Sequence, residues 1–254
     1  GFGALHDLAK KAAQGERTDA PYLAMVMRLF LKYPEVLAYD AMHERNKKEM
    51  EKIAVQALRK VRPGAAFSAI IHQETDLFKR AHEDWAWHAE HSDAVVLRLY
   101  EHIAGPRLVD WANSRNASTI LSSMSPAWRR ELAWHLTTST NTPCPTEEEL
   151  RHGKPPAHAA GEVAHAVRLC GERAEVHAAV GVDITHPFPE RVQTPPEYVS
   201  EIVAAAREAG AASVILCREY QEISGASMRA AAADGPIVAS LRDGRVIRAG
   251  RKAD

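Results

Sequence analysis

The chain has 254 residues, 46% of them hydrophobic, enough to bury one large α/β domain or two small ones. Thirty-two Lys+Arg stand against 33 Asp+Glu, a formal net charge of −1 with no basic stripe or like-charge run, so nucleic acid and anionic membrane are poor default partners. The three cysteines, Cys144, Cys170 and Cys217, are odd in number and show no CxxC spacing, which argues against a disulfide framework or a zinc site. No apolar run approaches the roughly 18 residues of a membrane span, and there is no signal peptide, which favours a soluble, cytoplasmic protein. The first residue is Gly1 rather than Met, which raises the expectation of an upstream segment.

Residues 1–19 are polar and in part helical. Pro21 opens an apolar helix with Leu23, Val26, Met27 and Phe30 on one face, and Pro34 interrupts it. A second helix runs to about Val61, with Val36, Leu37, Tyr39, Met42, Met50, Ile53, Ala54, Ala57 and Leu58 predicted as its inward set. Pro63-Gly64 ends it. Segment 66–72 lacks helical period and reads as a buried strand, 76–91 as a helix, and 94–101 as the clearest strand.

From Trp111 to about Thr138 the pattern is helical, broken at Pro126. Residues 140–156 read as a surface loop, in which Thr146 followed by Glu147–Glu149 carries a helix N-cap signal. Helix 158–169 precedes strand 176–183, helix 195–209, strand 212–218 and a helix near 225–233. Asp243-Gly244 then sits between two β-type runs as a hairpin signal. Strands 66–72, 94–100, 176–183 and 212–218 alternate with helices, which predicts a parallel sheet with crossover helices.

Five signatures stand in order along this pattern. They are Lys-Tyr-Pro-Glu-Val-Leu-Ala-Tyr at 32–39, Val-Arg-Pro-Gly at 61–64, Tyr-Glu-His-Ile-Ala-Gly-Pro-Arg-Leu at 100–108, Gly-Val-Asp-Ile-Thr at 181–185, and the run from Ala209 to Ser224. The series resembles the C-terminal half of a group of glycoside-hydrolase-like (β/α)8 barrel proteins, over about residues 20–230. In that group an RPG or RPD helix end precedes strand 5, a GxR segment follows strand 6, and GIDI and SRxYxEM mark strands 7 and 8. Two departures bear on substrate specificity. Residues 70–74 carry fewer Trp and His than the group's strand-5 end, and Cys217 replaces the strand-8 Ser.

The resemblance implies a partial TIM-type barrel with helices outside, its four parallel strands corresponding to barrel strands 5–8 and strands 1–4 lying upstream. The barrel region would span residues 1–233, with residues 234–254 as a hairpin-like tail. An open half sheet would expose two edges and an apolar inner face, so the missing half or a partner copy is the expected companion.

Glycoside hydrolysis uses two carboxylates, and strand ends are where a barrel keeps its chemistry. Asp183, Glu101 and Glu219 are the candidate catalytic acids. Asp183 closes an apolar strand and is also readable as a carboxylate that caps the following loop or pairs with Arg218. Glu101 is readable as a plain loop acid, and Glu219 as an ion-pair partner of Arg218. Substrate-binding candidates are His72, Glu74, Tyr100, His186, Arg218 and Tyr220, with Phe188 as a further stacking face.

His72, His102, His186 and Asp183 are of metal-ligating type, but no HxH or HExxH spacing joins them, so neither metal nor cofactor is expected. The first reading is therefore a carbohydrate-active hydrolase. A catalytically silent sugar-binding or interaction barrel is the alternative, and a metal-dependent isomerase or lyase a third.

Overall fold

A computed structural model describes residues 3, 4, 7, 8, 11, 22–72, 80–114, 124–184, 193–217, 223–233, 238–240 and 246–248. The chain divides into two compact units: residues 1–65, 75–82 and 107–136 in one, and 66–74, 83–106 and 137–254 in the other.

The first unit is helical. Helix α1 (Tyr22–Lys32) is separated from α2 (Glu35–Val61) by Pro34, as the sequence predicts. Leu8 and Val26 form a small core with Met25, Leu29 and Phe30. His82 Nε2 lies 2.8 Å from the Asp40 carboxylate on α2. Helix α5 (Pro126–Thr137) is tied to the end of α4 (Glu101–Asn113) by Arg129, which donates to the carbonyls of Ala112 (3.0 Å) and Met124 (2.6 Å).

The predicted inward set of α2 is corrected. Only Val36 and Val55 are buried, whereas Leu37, Tyr39, Met42, Met50 and Ile53 are exposed. The helix turns Asp40, Glu44, Lys48 and Glu51 inward at half burial, against the apolar period of its own sequence.

The second unit is a twisted sheet with helices. Its strands are β1 (Ser68–His72), β2 (Ala94–Leu99), β3 (Glu175–Gly181), β4 (Ser213–Cys217), β5 (Val238–Ser240) and β6 (Val246–Arg248), in the spatial order 1-2-3-4-5-6. Strands β1 to β5 are parallel and β6 returns antiparallel to β5. All four predicted parallel strands are present, and the C-terminal hairpin extends the same sheet. Asp243 and Gly244, which signalled that hairpin, lie outside the described residues.

The strand order never reverses, so the sheet is singly wound, unlike doubly wound folds with their switch point. Helices α3 (Trp85–His91), α7 (Pro156–Cys170), α8 (Pro196–Glu208) and α9 (Gly225–Ala232) pack side by side in that sequence. Strand pleating explains the division of faces. Val95, Leu97 and Leu99 of β2, Val176, Ala178 and Val180 of β3, and Val214 and Leu216 of β4 point into one core. There they meet Ala159, Val163 and Ala166 of α7 and Val199, Ile202 and Val203 of α8.

The alternate residues line the other face, and many of them stay partly exposed. Ile70 is 59% exposed, and Val96, Arg98, His177, Ser213, Ile215 and Cys217 are half-buried. A parallel α/β sheet with helices is therefore established; on its second face Ile70 of the edge strand is exposed, while Ala179 of β3 is fully buried.

Between β2 and β3 the 140–156 segment is more ordered than its composition predicts. Thr146 accepts from Glu149 N–H while Glu149 reaches back to Thr146 N–H, a capping box that starts the short helix α6 (Glu147–Arg151).

Candidate functional site

The C-terminal ends of β2, β3 and β4 are joined by one belt of buried polar groups. It begins at Glu101, the first residue of α4, whose side chain is 1% exposed. The residue before it, Tyr100, is half-buried with the Arg98 guanidinium 4.5 Å from its ring centroid, and Arg98 Nε donates to its hydroxyl at 3.0 Å. Glu101 itself is turned to helix α7, where His158 Nδ1–H donates to Oε1 at 3.1 Å.

Around the other imidazole nitrogen of His158 stand Lys154 Nζ at 3.2 Å, Thr138 Oγ1 at 3.3 Å and Glu162 Oε1 at 3.8 Å. Glu162 also accepts from Ser139 N–H at 2.6 Å. Burial alone would push the Glu101 carboxyl up, but the charge and hydrogen bond of His158 and the charge of Lys154 outweigh it and hold the group below its ordinary value.

The backbone is clamped at the same point. Lys154 N–H donates to the Glu101 carbonyl at 2.9 Å, and Tyr198 on α8 donates to the Lys154 carbonyl at 2.5 Å. Gly153, at φ +126, passes so close to Tyr198 and His102 that a side chain has no room. His102 sets its ring edge on Tyr198, centroids 5.5 Å apart, and its Nδ1 is 3.4 Å from Thr194 Oγ1. Burial lowers the His102 pKa, partly offset by Asp183, with His152 lowering it further. Burial, reinforced by Glu101 and Glu201, raises the Tyr198 hydroxyl far above its ordinary range.

Asp183 ends the belt. Its backbone N–H donates to Thr194 Oγ1 at 2.8 Å, and Thr194 N–H returns a bond to Oδ1 at 2.9 Å. The other carboxylate oxygen accepts from Ser224 N–H at 2.8 Å and from Ser227 Oγ at 3.3 Å. Ser224 is the N-cap of α9, so one carboxylate pins the chain after β3 to the helix after β4. Its φ of 51 lies in the left-handed region, which Asp tolerates because its short side chain bonds locally.

Of the predicted site residues, Glu101 and Asp183 are thus brought into one network, each engaged and nearly fully buried. Tyr100 lies outside that network, beside Gly181, where any side chain would run into Tyr100 and Ile184. His72 closes β1 in register with Arg98. Glu74, His186, Phe188, Arg218, Glu219 and Tyr220 lie outside the described residues.

Cys217, at the end of β4, carries a thiol pushed up by burial, which Arg98 and a hydrogen bond from Tyr100 partly offset. Among the described residues no group of three or more His, Cys, Asp or Glu side chains is placed to hold a metal ion, and no helix is long and apolar enough to cross a membrane.

Lys154, His158, Glu162, Thr194 and Ser227 escaped the sequence reading. The 4-residue spacings Lys154–His158–Glu162 and the Ser224-x-x-Ser227 cap were available as signals. Nothing in the sequence joined them to Glu101 or Asp183. No family model, curated protein or solved structure matches this chain.

Proposed function

We propose that this is a glycoside-hydrolase-like barrel protein that binds carbohydrate beside Tyr100 and Arg98, at the C-terminal end of β2, without cleaving it. The observation that carries this reading is the engagement of both candidate acids. Asp183 spends its carboxylate on three donors, and Glu101 gives Oε1 to His158 under helix α7 with the Lys154 charge nearby, its Oε2 being buried without a hydrogen-bond partner among the described residues. A glycosidase needs one carboxyl free to give a proton and a second facing the same bond, roughly 5–10 Å away. Acids bonded in this way are suited to bracing strand ends.

Sugar recognition is supported by Tyr100 and Arg98, a half-buried aromatic ring with a guanidinium over it at the end of β2. An aromatic plane takes the apolar face of a pyranose, while a guanidinium donates to its hydroxyls. His72 would extend this row from β1. Arg218 and Tyr220, with Glu74 and His186, would add contacts from beyond the strand ends.

Calorimetric titration with a panel of neutral and acidic oligosaccharides tests the reading. Wild type binds at least one of them, and Tyr100→Ala weakens that binding about tenfold or more by removing the stacking face. Failure of the whole panel, or indifference to Tyr100→Ala, would overturn it. Of the three candidate catalytic acids, Glu219 remains for the hydrolytic reading, and release of reducing ends lost in Glu219→Gln would establish it instead.

A further inference from the structure

Helix α2 faces the wrong way for a surface helix of a monomer. At about 100° per residue, Tyr39, Met42, Asn46, Met50, Ile53 and Ala57 fall on one stripe, and Val61 continues it. The stripe lies in water: Tyr39 is 53% exposed, Met50 71%, Ile53 62% and Val61 86%. The half-buried side holds Asp40, Glu44, Lys48 and Glu51 between Val36 and Val55. An apolar stripe along a helix about 40 Å long marks an interaction surface.

We propose that α2 pairs antiparallel with α2 of a second copy of this chain. The flanking charges favour that occupant and that direction. A two-fold axis between Asn46 and Met50 sets Tyr39 against Ala57 of the other copy and Met42 beside Ile53, large residues against small or unbranched ones. One flank of the stripe carries Arg45 and Glu49, with Glu35 and Lys60 near the helix ends, all four exposed.

In an antiparallel pair like flanks meet. Glu49 then faces Arg45 of the other copy, Glu35 faces Lys60, and the two-fold repeats both pairs. A parallel pair would set Arg45 and Lys52 against the flank that holds His43 and Lys47, cation on cation. Self-pairing thus covers the apolar stripe and sets Arg45, Glu49, Glu35 and Lys60 against opposite charges, while on the other flank Lys47 meets Lys47 of the other copy and is offset by Glu44 of its own helix at 3.9 Å.

Sedimentation equilibrium of the full chain, from about 1 to about 100 µM, tests this, because a dimer's population follows concentration. The expected result is a mass rising from 28.0 kDa toward twice that value. Met50→Glu/Ile53→Glu returns it to the monomer with unchanged circular dichroism and a urea midpoint equal to that of the dissociated wild type and independent of protein concentration. Arg45→Glu weakens the dimer about tenfold, and Arg45→Glu/Glu49→Arg restores it.

A single 28.0 kDa species throughout, or a dimer indifferent to these substitutions, overturns the proposal. So does a monomer that Met50→Glu/Ile53→Glu destabilises, since the stripe is then covered by the chain's own residues. Should that double variant fail to fold, the Arg45/Glu49 exchange decides alone.

Discussion

Asp183 shows how a strand-end acid can look catalytic in a sequence and be structural in the fold. Its carboxylate serves Thr194, Ser224 and Ser227 from a backbone that only Gly, Asn or Asp adopts readily. Asp183→Ala leaves three donors without an acceptor, and each buried orphan costs about 1–3 kcal/mol. We expect a loss of about 3 kcal/mol or more in urea unfolding, against about 1–2 kcal/mol for Asp183→Asn, which keeps the left-handed backbone and one acceptor.

Two further groups of the belt give a pH dependence with a definite sign. Glu101 has a depressed folded pKa, so its stabilisation is present above the ordinary value of 4.5 and is lost as pH falls through the folded value. His102 is also depressed, and for a histidine that makes the neutral form the native one. Its contribution is present above the ordinary 6.5 and is lost as pH falls below it. The urea midpoint should therefore drop in two steps on acidification, first below pH 6.5 and again below pH 4.5. His102→Gln should remove the first step and leave the second.

At the scale of elements, close approaches govern what the strand ends tolerate. Gly181 ends β3 against the Tyr100 ring, so Gly181→Ala forces Tyr100 aside. Overpacking of this kind costs about 1–3 kcal/mol, read from thermal unfolding. In the binding account it also weakens oligosaccharide titration as strongly as Tyr100→Ala does. The capping box of α6 is a milder case, and Thr146→Ala should cost about 1 kcal/mol.

Element identities were legible where one physical signal dominated. Val95, Leu97 and Leu99 alternate with Val96 and Arg98 because one face of β2 is core and the other is half-buried, and that alternation is written in the residues. Helix α2 misled for the opposite reason. The predicted inward set mixes two faces: Val36 and Leu58 turn inward, whereas Tyr39, Met42, Met50 and Ile53 form an apolar stripe on the exposed side, because an apolar period gives the direction of a face and not what lies against it. The Glu101–His158 contact spans 57 positions and was invisible, since no local rule links a strand end to a helix laid over it.

For the whole molecule, the singly wound order 1-2-3-4-5 is the feature most in keeping with a barrel-type architecture. It sets Arg98, Tyr100, His177, Ser213 and Cys217 along the second face of the sheet. The strand-end acids, which the sequence offered as a hydrolytic pair, instead link β2, α7, β3 and α9 into one brace. This brace holds the strand ends beside Tyr100 and Arg98, the contacts on which the carbohydrate-binding proposal rests.

Proton NMR of the tightest-binding oligosaccharide, followed over a day with and without the protein, tests that account most directly. The account predicts ligand lines broadened by the protein, relieved in Tyr100→Ala, with every anomeric signal unchanged in area. New reducing-end anomeric signals that disappear in Glu101→Gln or Asp183→Asn would contradict it.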